Sequence, residues 1–259
     1  MDFPLIGFGT YKLRNMESIS IGLKNAIEQG YNMIDTAEIY RNQKFIGSFL
    51  KDNNINREKI WITSKVSFAS MKKSEEEVIK GITKTFQDLQ TNYIDLYLIH
   101  APIEERWVFT WNYLRKLQKD GIIRYIGISN YTIDKLKRFI DIIGQDEARY
   151  IFCNQIEYNP FLNRSDLIDF CNMNNIIVTA YGSLYKTNSI IDNIALKYNM
   201  TPQQILLKWS VQKNIRVIPM SENPIYIRDN INLNFILSDE DIKTMNNMNE
   251  NYSMYQKYL

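Results

Sequence analysis

The sequence is poor in the residues that build metal centres and disulfide frameworks. Its 259 residues include two cysteines and a single histidine. A zinc site needs Cys, His or carboxylate ligands clustered at characteristic spacing. Cys153 and Cys171 show neither that spacing nor the density of a disulfide scaffold. We therefore expect no metal site, and we expect two buried thiols in a reducing cytosol.

Long apolar runs and charge of one sign are also missing. No apolar stretch approaches the roughly 18 residues that a membrane span requires, and the N-terminus lacks the basic and apolar segments of a secretory signal. The net charge is +2, with basic and acidic residues mixed along the chain, so neither nucleic acid nor a membrane is an expected partner. We expect a cytoplasmic globular protein, and a monomer.

Strand-like apolar runs alternate with amphipathic helical stretches along the whole chain. The strand candidates are Leu5–Gly9, Tyr31–Asp35, Ile60–Lys65, Ile94–His100, Ile123–Ile128, Ile151–Ile156, Ile176–Ala180 and Ile215–Pro219. Helical spacing of apolar residues marks Ser18–Gln29, Glu75–Leu89, Thr132–Ile143 and, after the start signal Thr201-Pro202, Gln203–Gln212. Such alternation predicts right-handed βαβ units and a parallel sheet. Eight units fit a (β/α)8 TIM barrel that forms one domain over residues 1–259.

The alternative architecture is an open, doubly wound α/β sheet. That fold normally carries a glycine-rich phosphate-binding turn after its first strand. Here Gly7-Phe8-Gly9 continues into Thr10-Tyr11-Lys12, and no third glycine opens a helix. The sequence therefore favours the barrel.

Ionisable residues close three of the predicted strands. Asp35, Lys65 and His100 each end an apolar run, and Tyr40 lies five residues beyond Asp35. Because the carboxyl ends of barrel strands converge, we expect these four side chains to meet. Taken singly, each has a plainer interpretation: a structural ion pair for Asp35 with Lys65, a surface aromatic for Tyr40, and a structural histidine for His100. Their joint placement favours an active site.

These four residues suit the protonation of a carbonyl oxygen. A phenol is a weak acid with a pKa near 10, and a nearby ammonium stabilises its phenolate. Lys65 can supply that ammonium, and a buried lysine needs a counter-charge, which Asp35 offers. His100 can hydrogen-bond the oxygen that receives the proton from Tyr40, while another group delivers hydride to the carbon.

Neutral polar residues follow the later strands at the same predicted end. They are Ser129, Asn130, Asn154, Gln155, Tyr181 and Ser221. Amides and hydroxyls can hold a carboxamide, and an aromatic face can stack on a flat heterocycle. Together they meet the requirements of a nicotinamide ring, although each alone is also typical of a turn or cap.

Segments carrying these residues resemble the aldo-keto reductase family over nearly the whole chain, from Pro4 to about Leu237. The matching segments are Gly7-Phe8-Gly9-Thr10-Tyr11, Ile34-Asp35-Thr36-Ala37-Glu38-Ile39-Tyr40, Thr63-Ser64-Lys65, Asp95-Leu96-Tyr97-Leu98-Ile99-His100, Gly127-Ile128-Ser129-Asn130-Tyr131, Asn154-Gln155-Ile156-Glu157, Ala180-Tyr181-Gly182-Ser183-Leu184 and Ile218-Pro219-Met220-Ser221. Their order along the chain makes the resemblance specific.

The resemblance implies a (β/α)8 barrel that binds NADP(H) and reduces aldehydes or ketones. Tyr40 would be the general acid, Lys65 and Asp35 its tuners, and His100 the group that orients the carbonyl. The implied cofactor contacts are Thr10, Tyr11, Asp35, Ser129, Asn130, Gln155, Tyr181, Gly182, Ser183, Leu184, Ser221, Asp229 and Asn230. The implied substrate contacts are Tyr11, Tyr40, Phe68, His100 and Trp107.

Two positions depart from the pattern of NADP-selective relatives. Met220 stands where they have a lysine, and Tyr226 aligns with their arginine, so two cations that clamp the 2′-phosphate are missing. Each charge-assisted contact to phosphate is worth roughly 1.5–3 kcal/mol. The hypothesis is that coenzyme preference is relaxed or shifted towards NAD(H), although Arg228 lies close by.

The substrate side also departs from the family. Ala101 and Ser67 replace family tryptophans, while Tyr11 keeps an aromatic position. The connection after His100 and the C-terminal tail are short, and the N-terminal hairpin of relatives is not expected. Because such loops cover the site, we predict shortened active-site loops and an open pocket lined by Tyr11, Phe68 and Trp107.

Three functions are compatible with the sequence. The first is a carbonyl reductase. The second is a nucleotide-binding regulatory protein on the same barrel with weak catalysis, which the missing cations and trimmed loops would suit. The third is a hydrolase or isomerase that uses Asp35 with a second carboxylate such as Glu157. The set of Asp35, Tyr40, Lys65 and His100 favours the first.

Overall fold

Eight parallel strands follow one another in chain order around a closed sheet in the computed structural model, which describes residues 2–254. They are β1 (Phe8–Gly9), β2 (Met33–Asp35), β3 (Trp61–Val66), β4 (Ile94–Ile99), β5 (Ile123–Ser129), β6 (Ile151–Glu157), β7 (Ile177–Tyr181) and β8 (Arg216–Val217). The ring closes where Ile6 pairs with Val217 in parallel and the Gly9 N–H donates to the Pro219 carbonyl at 3.0 Å. The predicted barrel is therefore confirmed, and a sheet with a strand-order reversal is excluded.

Helices cover the outside of this barrel. They are α1 (Met16–Glu28), α2 (Gln43–Asp52), α3 (Phe68–Lys73), α4 (Glu75–Leu89), α5 (Trp107–Lys119), α6 (Ile133–Ile143), α7 (Gln145–Ala148), α8 (Ser165–Met173), α9 (Ser189–Tyr198), α10 (Pro202–Val211), α11 (Pro224–Ile231) and α12 (Asp239–Asn246). Side-chain caps fix several starts; α10 begins at Pro202 with Thr201 as its cap, as predicted, and Gln204 completes a reciprocal capping box.

Apolar side chains fill the barrel at the amino ends of its strands. Met33, Trp61, Leu96, Leu98 and Cys153 form a buried cluster inside the ring. Phe3 stacks on Trp61 with ring centroids 4.8 Å apart and closes this end. A larger apolar layer lies between the sheet and the helices. The polar side chains of Asp35, Lys65 and Gln155 lie instead towards the carboxyl ends of their strands, where barrel active sites lie.

The described residues also bear on the other expectations from sequence. No strand precedes β1 in residues 2–7, apart from the isolated bridge at Ile6. The thiols of Cys153 and Cys171 are both free and buried. Within residues 2–254, the helices are all too short or too polar to cross a bilayer, and there is no cluster of three potential metal ligands. The single domain over residues 1–259 stays a prediction, and its ends, Met1 and residues 255–259, lie outside the described part.

Candidate active site

The Lys65 ammonium is the centre of the polar cluster at the carboxyl end of the barrel. Its Nζ atom donates to Asp35 Oδ1 at 2.6 Å and to the Thr36 carbonyl at 2.9 Å. It also lies 3.5 Å from the Tyr40 hydroxyl oxygen. The lysine side chain is fully buried. Three of the four residues expected from the sequence thus meet within hydrogen-bond distance.

Burial and pairing act in opposite directions on this lysine. Burial lowers the pKa of Lys65, and the Asp35 carboxylate opposes that effect by attraction and by its hydrogen bond. The second carboxylate oxygen of Asp35 accepts from Gln155 Nε2 at 2.8 Å. Both oxygens of Asp35 are therefore engaged, which does not fit its use as a hydrolytic acid or base. Glu157 in turn accepts from the Met254 N–H at 2.9 Å and from the Ser253 hydroxyl.

His100 lies against the Tyr40 ring. The two ring centroids are 5.9 Å apart in an edge-to-face arrangement, and Phe68 contacts the histidine from another side at 6.0 Å. Burial, with a smaller contribution from the Lys65 charge, lowers the pKa of His100 to about 3. The imidazole is therefore neutral near pH 7, and a neutral imidazole offers one N–H to a substrate oxygen.

Polar side chains of β5, β6 and β7 form an arc beside this group. Asn130 donates to the His100 carbonyl at 3.0 Å and accepts from the Tyr181 hydroxyl at 2.7 Å, with a left-handed φ of 67°. Ser129 Oγ donates to the Gln155 carbonyl at 2.8 Å. Amides, a hydroxyl and a partly exposed tyrosine ring thus lie together, and their chemistry fits a carboxamide on a flat ring.

Asn154 belongs to a different surface of the sheet. Successive strand residues point to opposite faces, so its neighbour Gln155 faces the barrel interior while Asn154 faces the helices. Its side-chain amide donates to the Tyr131 carbonyl at 3.0 Å. The expectation that Asn154 joins the polar arc is wrong for this reason.

The segments expected to hold the rest of a dinucleotide follow β7 and β8. Gly182 has φ 65°, and the buried Ser183 hydroxyl lies 3.4 Å from the Ala180 carbonyl; Leu184 is partly buried. Ser221 Oγ accepts from the Asn223 N–H at 3.0 Å. In α11, Asn230 is 3% exposed, and Asp229 pairs with Arg228 at 2.9 Å.

Two loops that carry site residues are held together by Asn42, which the sequence analysis did not single out. Its side-chain amide donates to the carbonyls of Thr10 and Leu13 at 2.8 and 2.9 Å, while its oxygen accepts from the Thr36 hydroxyl at 2.8 Å. The buried Thr10 hydroxyl donates to the Asp35 carbonyl at 2.9 Å. These long-range contacts have no signal in the sequence, since an asparagine in a loop is common.

Tyr11, Phe68 and the connection after His100 are the elements expected to bound the substrate. Tyr11 is 40% exposed and lies 5.1 Å from the Tyr40 ring. A cleft of about 660 Å³ lies between α3 and residues 102–106, and its lining includes none of Tyr11, Tyr40, Phe68 and His100. This connection is short, as expected, because α5 begins at Trp107.

Trp107 does not fit its expected role as a substrate contact. Its side chain is fully buried, and it packs on Tyr131 and Phe139 at centroid distances of 5.6 and 5.5 Å. As the first residue of α5, it points into the apolar layer between helices and sheet. The sequence predicts this helix only over Trp111–Lys119, four residues later than its start at Trp107, and a loop position at 107 made an exposed tryptophan plausible.

Comparison with known proteins gives the class that this fold and site define. The model of the aldo/keto reductase family matches residues 5–250, and the chain belongs to this family. Glyoxal reductase of Bacillus subtilis is 33% identical over 255 residues, which is 96% of this chain and 90% of that protein. Methylglyoxal reductase DkgB of Yersinia pestis is 35% identical, covering 89% of this chain and 87% of that protein.

Solved structures give the same result at the level of the fold. An aldo-keto reductase from a Medee basin deep-sea metagenome library, MGS-M4, superposes with a TM-score of 0.89 at 29% identity, covering 98% of this chain and 94% of that one. Aldose reductase from Schistosoma japonicum has a TM-score of 0.85 at 27% identity, covering 98% and 91%. The family resemblance found in the sequence is therefore confirmed, and the family supports an oxidoreductase that acts on small carbonyl compounds.

Proposed function

We propose that this protein reduces an aldehyde or ketone to an alcohol with NAD(P)H, and that Tyr40 is the general acid. The observation that carries the proposal is the position of the Lys65 ammonium, which lies 2.6 Å from Asp35 and 3.5 Å from the Tyr40 hydroxyl. An ammonium in this place stabilises a developing phenolate more than the neutral phenol. Proton donation by Tyr40 is thereby favoured at neutral pH.

Each residue then has a role in carbonyl reduction. The Tyr40 hydroxyl donates its proton to the carbonyl oxygen, and Lys65 stabilises the phenolate that remains. Asp35 holds the ammonium, and Gln155 holds Asp35. The neutral His100 donates a hydrogen bond to the same carbonyl oxygen. Bound NAD(P)H would supply the hydride, with Ser129, Asn130, Gln155 and Tyr181 as the residues that hold its nicotinamide.

The alternative, a nucleotide-binding regulatory protein, does not require a proton donor. Binding a nucleotide alone gives no reason for a buried lysine to contact both a carboxylate and a phenol. Burying that charge also costs free energy, which the contacts with oxygen offset only in part. The geometry therefore supports the reductase over the regulatory alternative.

A small dicarbonyl is the first substrate to test. Two similar proteins are named for the reduction of glyoxal and methylglyoxal. The short connection between His100 and α5 is consistent with a site whose walls confer little selectivity among small aldehydes.

The adenosine end of the site supports a relaxed coenzyme preference or one shifted towards NADH. Met220 is partly buried against the core, and Tyr226 is 60% exposed; neither can pair with a 2′-phosphate. The nearest cation in sequence, Arg228, pairs with Asp229 through Nη2 at 2.9 Å and Nε at 3.0 Å. Its charge is therefore already partly compensated.

Tyr40→Phe tests the proton donor. Removing the phenol oxygen should lower kcat for methylglyoxal at least 100-fold, which is the usual contribution of a general acid, with the dissociation constant for reduced cofactor changed less than threefold. Absorbance of the reduced cofactor gives the rate, and quenching of protein fluorescence gives binding. Tyr125→Phe removes a hydroxyl at the opposite end of the barrel and should match the parent.

Two results would contradict the proposal. Parental turnover by Tyr40→Phe would remove Tyr40 from the mechanism. A parent protein that binds reduced cofactor tightly, yet turns over none of a panel of small aldehydes and ketones, would support the regulatory alternative instead.

Steady-state kinetics with both coenzymes test the preference. We expect kcat/KM values for NADH and NADPH within about tenfold of each other, because two cations that would each favour the phosphate by roughly 1.5–3 kcal/mol are missing. Met220→Lys should raise kcat/KM for NADPH and leave that for NADH unchanged. A preference of the parent for NADPH of a hundredfold or more would disprove the hypothesis.

A further inference from the structure

Glu38 is a partly buried carboxylate that the mechanism above does not use. It opens the one-turn 3-10 helix Glu38–Tyr40, so it stands two residues before the proposed general acid on the same turn. The Arg41 N–H closes this turn on the Glu38 carbonyl at 3.2 Å. Any movement of Glu38 therefore moves the backbone that carries Tyr40.

The Glu38 side chain reaches away from this turn to the segment after β3. Its Oε2 atom accepts from the Ser67 N–H at 3.0 Å and from the Ser70 hydroxyl at 3.3 Å. Ser67 caps α3, and the next residue, Phe68, contacts His100. One carboxylate oxygen thus ties the Tyr40 turn to the helix that forms another wall of the site.

Two other elements surround this carboxylate, one with a hydroxyl group and one with empty space. From β4, the Tyr97 hydroxyl oxygen lies 3.4 Å from Oε1 and 3.0 Å from the Thr85 hydroxyl oxygen, and its single proton can be donated to either. From α4, the absence of a side chain at Gly81 leaves the space, because a Cβ there would lie 2.7 Å from Oε2. Within residues 2–254, no cation lies within 4 Å of Glu38 to pair with it.

Burying an unpaired carboxylate carries a free-energy cost. Burial raises the pKa of Glu38 to about 7, although the hydrogen bonds from Ser67, Ser70 and Tyr97 oppose this shift. An apolar side chain of similar volume would avoid the cost. A carboxylate at position 38 should therefore have a function other than stabilising the fold. The contacts indicate what that function is, since they join the two segments on either side of His100.

We propose that Glu38 is a positioning residue, which fixes the Tyr40 hydroxyl relative to His100 and Phe68 by holding the Tyr40 turn against the start of α3. This inference rests on the proposed function, because it assigns Glu38 to the proton transfer by Tyr40. Glu38 itself touches no group that receives or loses a proton in the reaction.

Kinetics of Glu38→Ala test the proposal. We expect kcat for methylglyoxal to fall at least tenfold, with the dissociation constant of reduced cofactor unchanged within twofold, because Tyr40 is displaced while the nicotinamide contacts remain. The solvent deuterium isotope effect on kcat should increase, since the proton transfer becomes slower relative to the other steps. Glu38→Gln, whose amide oxygen can still accept from Ser67 and Ser70, should stay within threefold of the parent.

A double-mutant cycle tests whether the link to α3 carries the effect. Ser70→Ala alone should lower kcat about threefold and raise the isotope effect. In the Glu38→Ala background it should have no further effect, because the link is already lost. Glu28→Ala, at the exposed end of α1, is the matched control and should behave as the parent does.

The outcomes separate this inference from the proposed function. If Tyr40→Phe is inactive and Glu38→Ala keeps parental kcat and isotope effect, only the positioning role is wrong. If Tyr40→Phe keeps parental turnover, the proposed function fails and the positioning role fails with it. If Glu38→Ala lacks the circular dichroism of the folded parent, Ser70→Ala decides, and parental kinetics of that variant would overturn the proposal.

Discussion

Lys65 combines full burial with three oxygen neighbours. An ammonium without partners in the barrel interior would lose its proton or destabilise the fold. The Asp35 carboxylate, the Thr36 carbonyl and the Tyr40 hydroxyl surround it instead. The same contacts that keep the charge in place also direct it at the phenol, so the stability of the charge and the chemical role proposed for it have one structural origin.

His100 gives a prediction about pH, because it is the only histidine in the chain. Its pKa is lowered to about 3, first by burial and then by the Lys65 charge. A proton NMR titration of the single imidazole should therefore show no change between pH 5 and 8. Denatured protein should titrate near 6.5. A folded-state midpoint between pH 5 and 8 would contradict the lowered pKa, and one above pH 7 would also contradict the neutral role of His100.

The same shift has a consequence for stability. Between pH 6.5 and about 3 the unfolded chain binds a proton at His100 that the folded chain does not. The contribution of the neutral imidazole to stability is complete above pH 6.5 and is lost as the pH falls through this window. As the pH falls from 6.5 to about 3, the melting temperature of His100→Gln should therefore decrease less than that of the parent protein.

At the scale of the elements, apolar periodicity located every strand. The observed ends of the strands differ from the predicted ends by a few residues. The largest differences are at β1 and β8, which are shorter than the apolar runs that contain them. The residues next to these two strands hydrogen-bond across the closure of the barrel. A periodic pattern of apolar residues does not show where such long-range pairing begins or ends. The start of α5 was missed for a related reason, since Trp107 is held by packing on Tyr131 and Phe139.

One carboxylate joins three neighbouring strands at the end of the barrel opposite the site. Asp95, at 1% exposure, accepts from Arg57 at 2.8 Å, from Arg124 at 2.9 Å and from the Ile62 N–H at 2.9 Å. Asp95→Ala leaves these donors unpaired and should lower the free energy of unfolding by about 3 kcal/mol. Urea unfolding would measure it.

The control for Asp95 is a carboxylate in an exposed ion pair. Asp88 pairs with Lys84 one turn away on α4 at 2.7 Å, with the lysine side chain 65% exposed. Asp88→Ala should cost less than about 1 kcal/mol, because solvent screens such pairs. An equal loss of unfolding free energy in both variants would mean that the buried contacts of Asp95 stabilise the fold no more than an exposed ion pair does. Turnover should remain parental in both variants, since neither residue lies near Tyr40.

At the scale of the whole molecule, the barrel forms because the last strand of the sheet pairs with the first. The last strand returns to the first only if their backbones approach closely, and Gly9 allows this, because a Cβ there would lie 2.5 Å from the Ile218 carbonyl oxygen. No local pattern announces such a contact between residues some 200 positions apart. The glycine at position 9 is explained by that long-range approach.

Substitution of this glycine tests the closure. Gly9→Ala should lower the free energy of unfolding by about 2–3 kcal/mol, since the backbone must shift to relieve the overlap. Gly7→Ala is the comparison, because its Cβ would meet the side chain of Met33, nearest at the terminal Cε, and no backbone atom among its nearest neighbours; a methionine can adjust its side-chain conformation, so this change should cost less than Gly9→Ala. Similar losses in urea unfolding would contradict this account of the closure.

The sequence by itself determined the barrel, the order of its strands and the identity of the residues at their carboxyl ends, because alternating periodicity and strand-end chemistry are local properties of the chain. The tertiary structure decided what those residues touch. The exclusion of Asn154 by the face it occupies, the burial of Trp107, the loop contacts of Asn42 and the link from Glu38 to α3 all depend on segments distant in sequence. Their physical reason is packing between elements, which residue order does not specify locally.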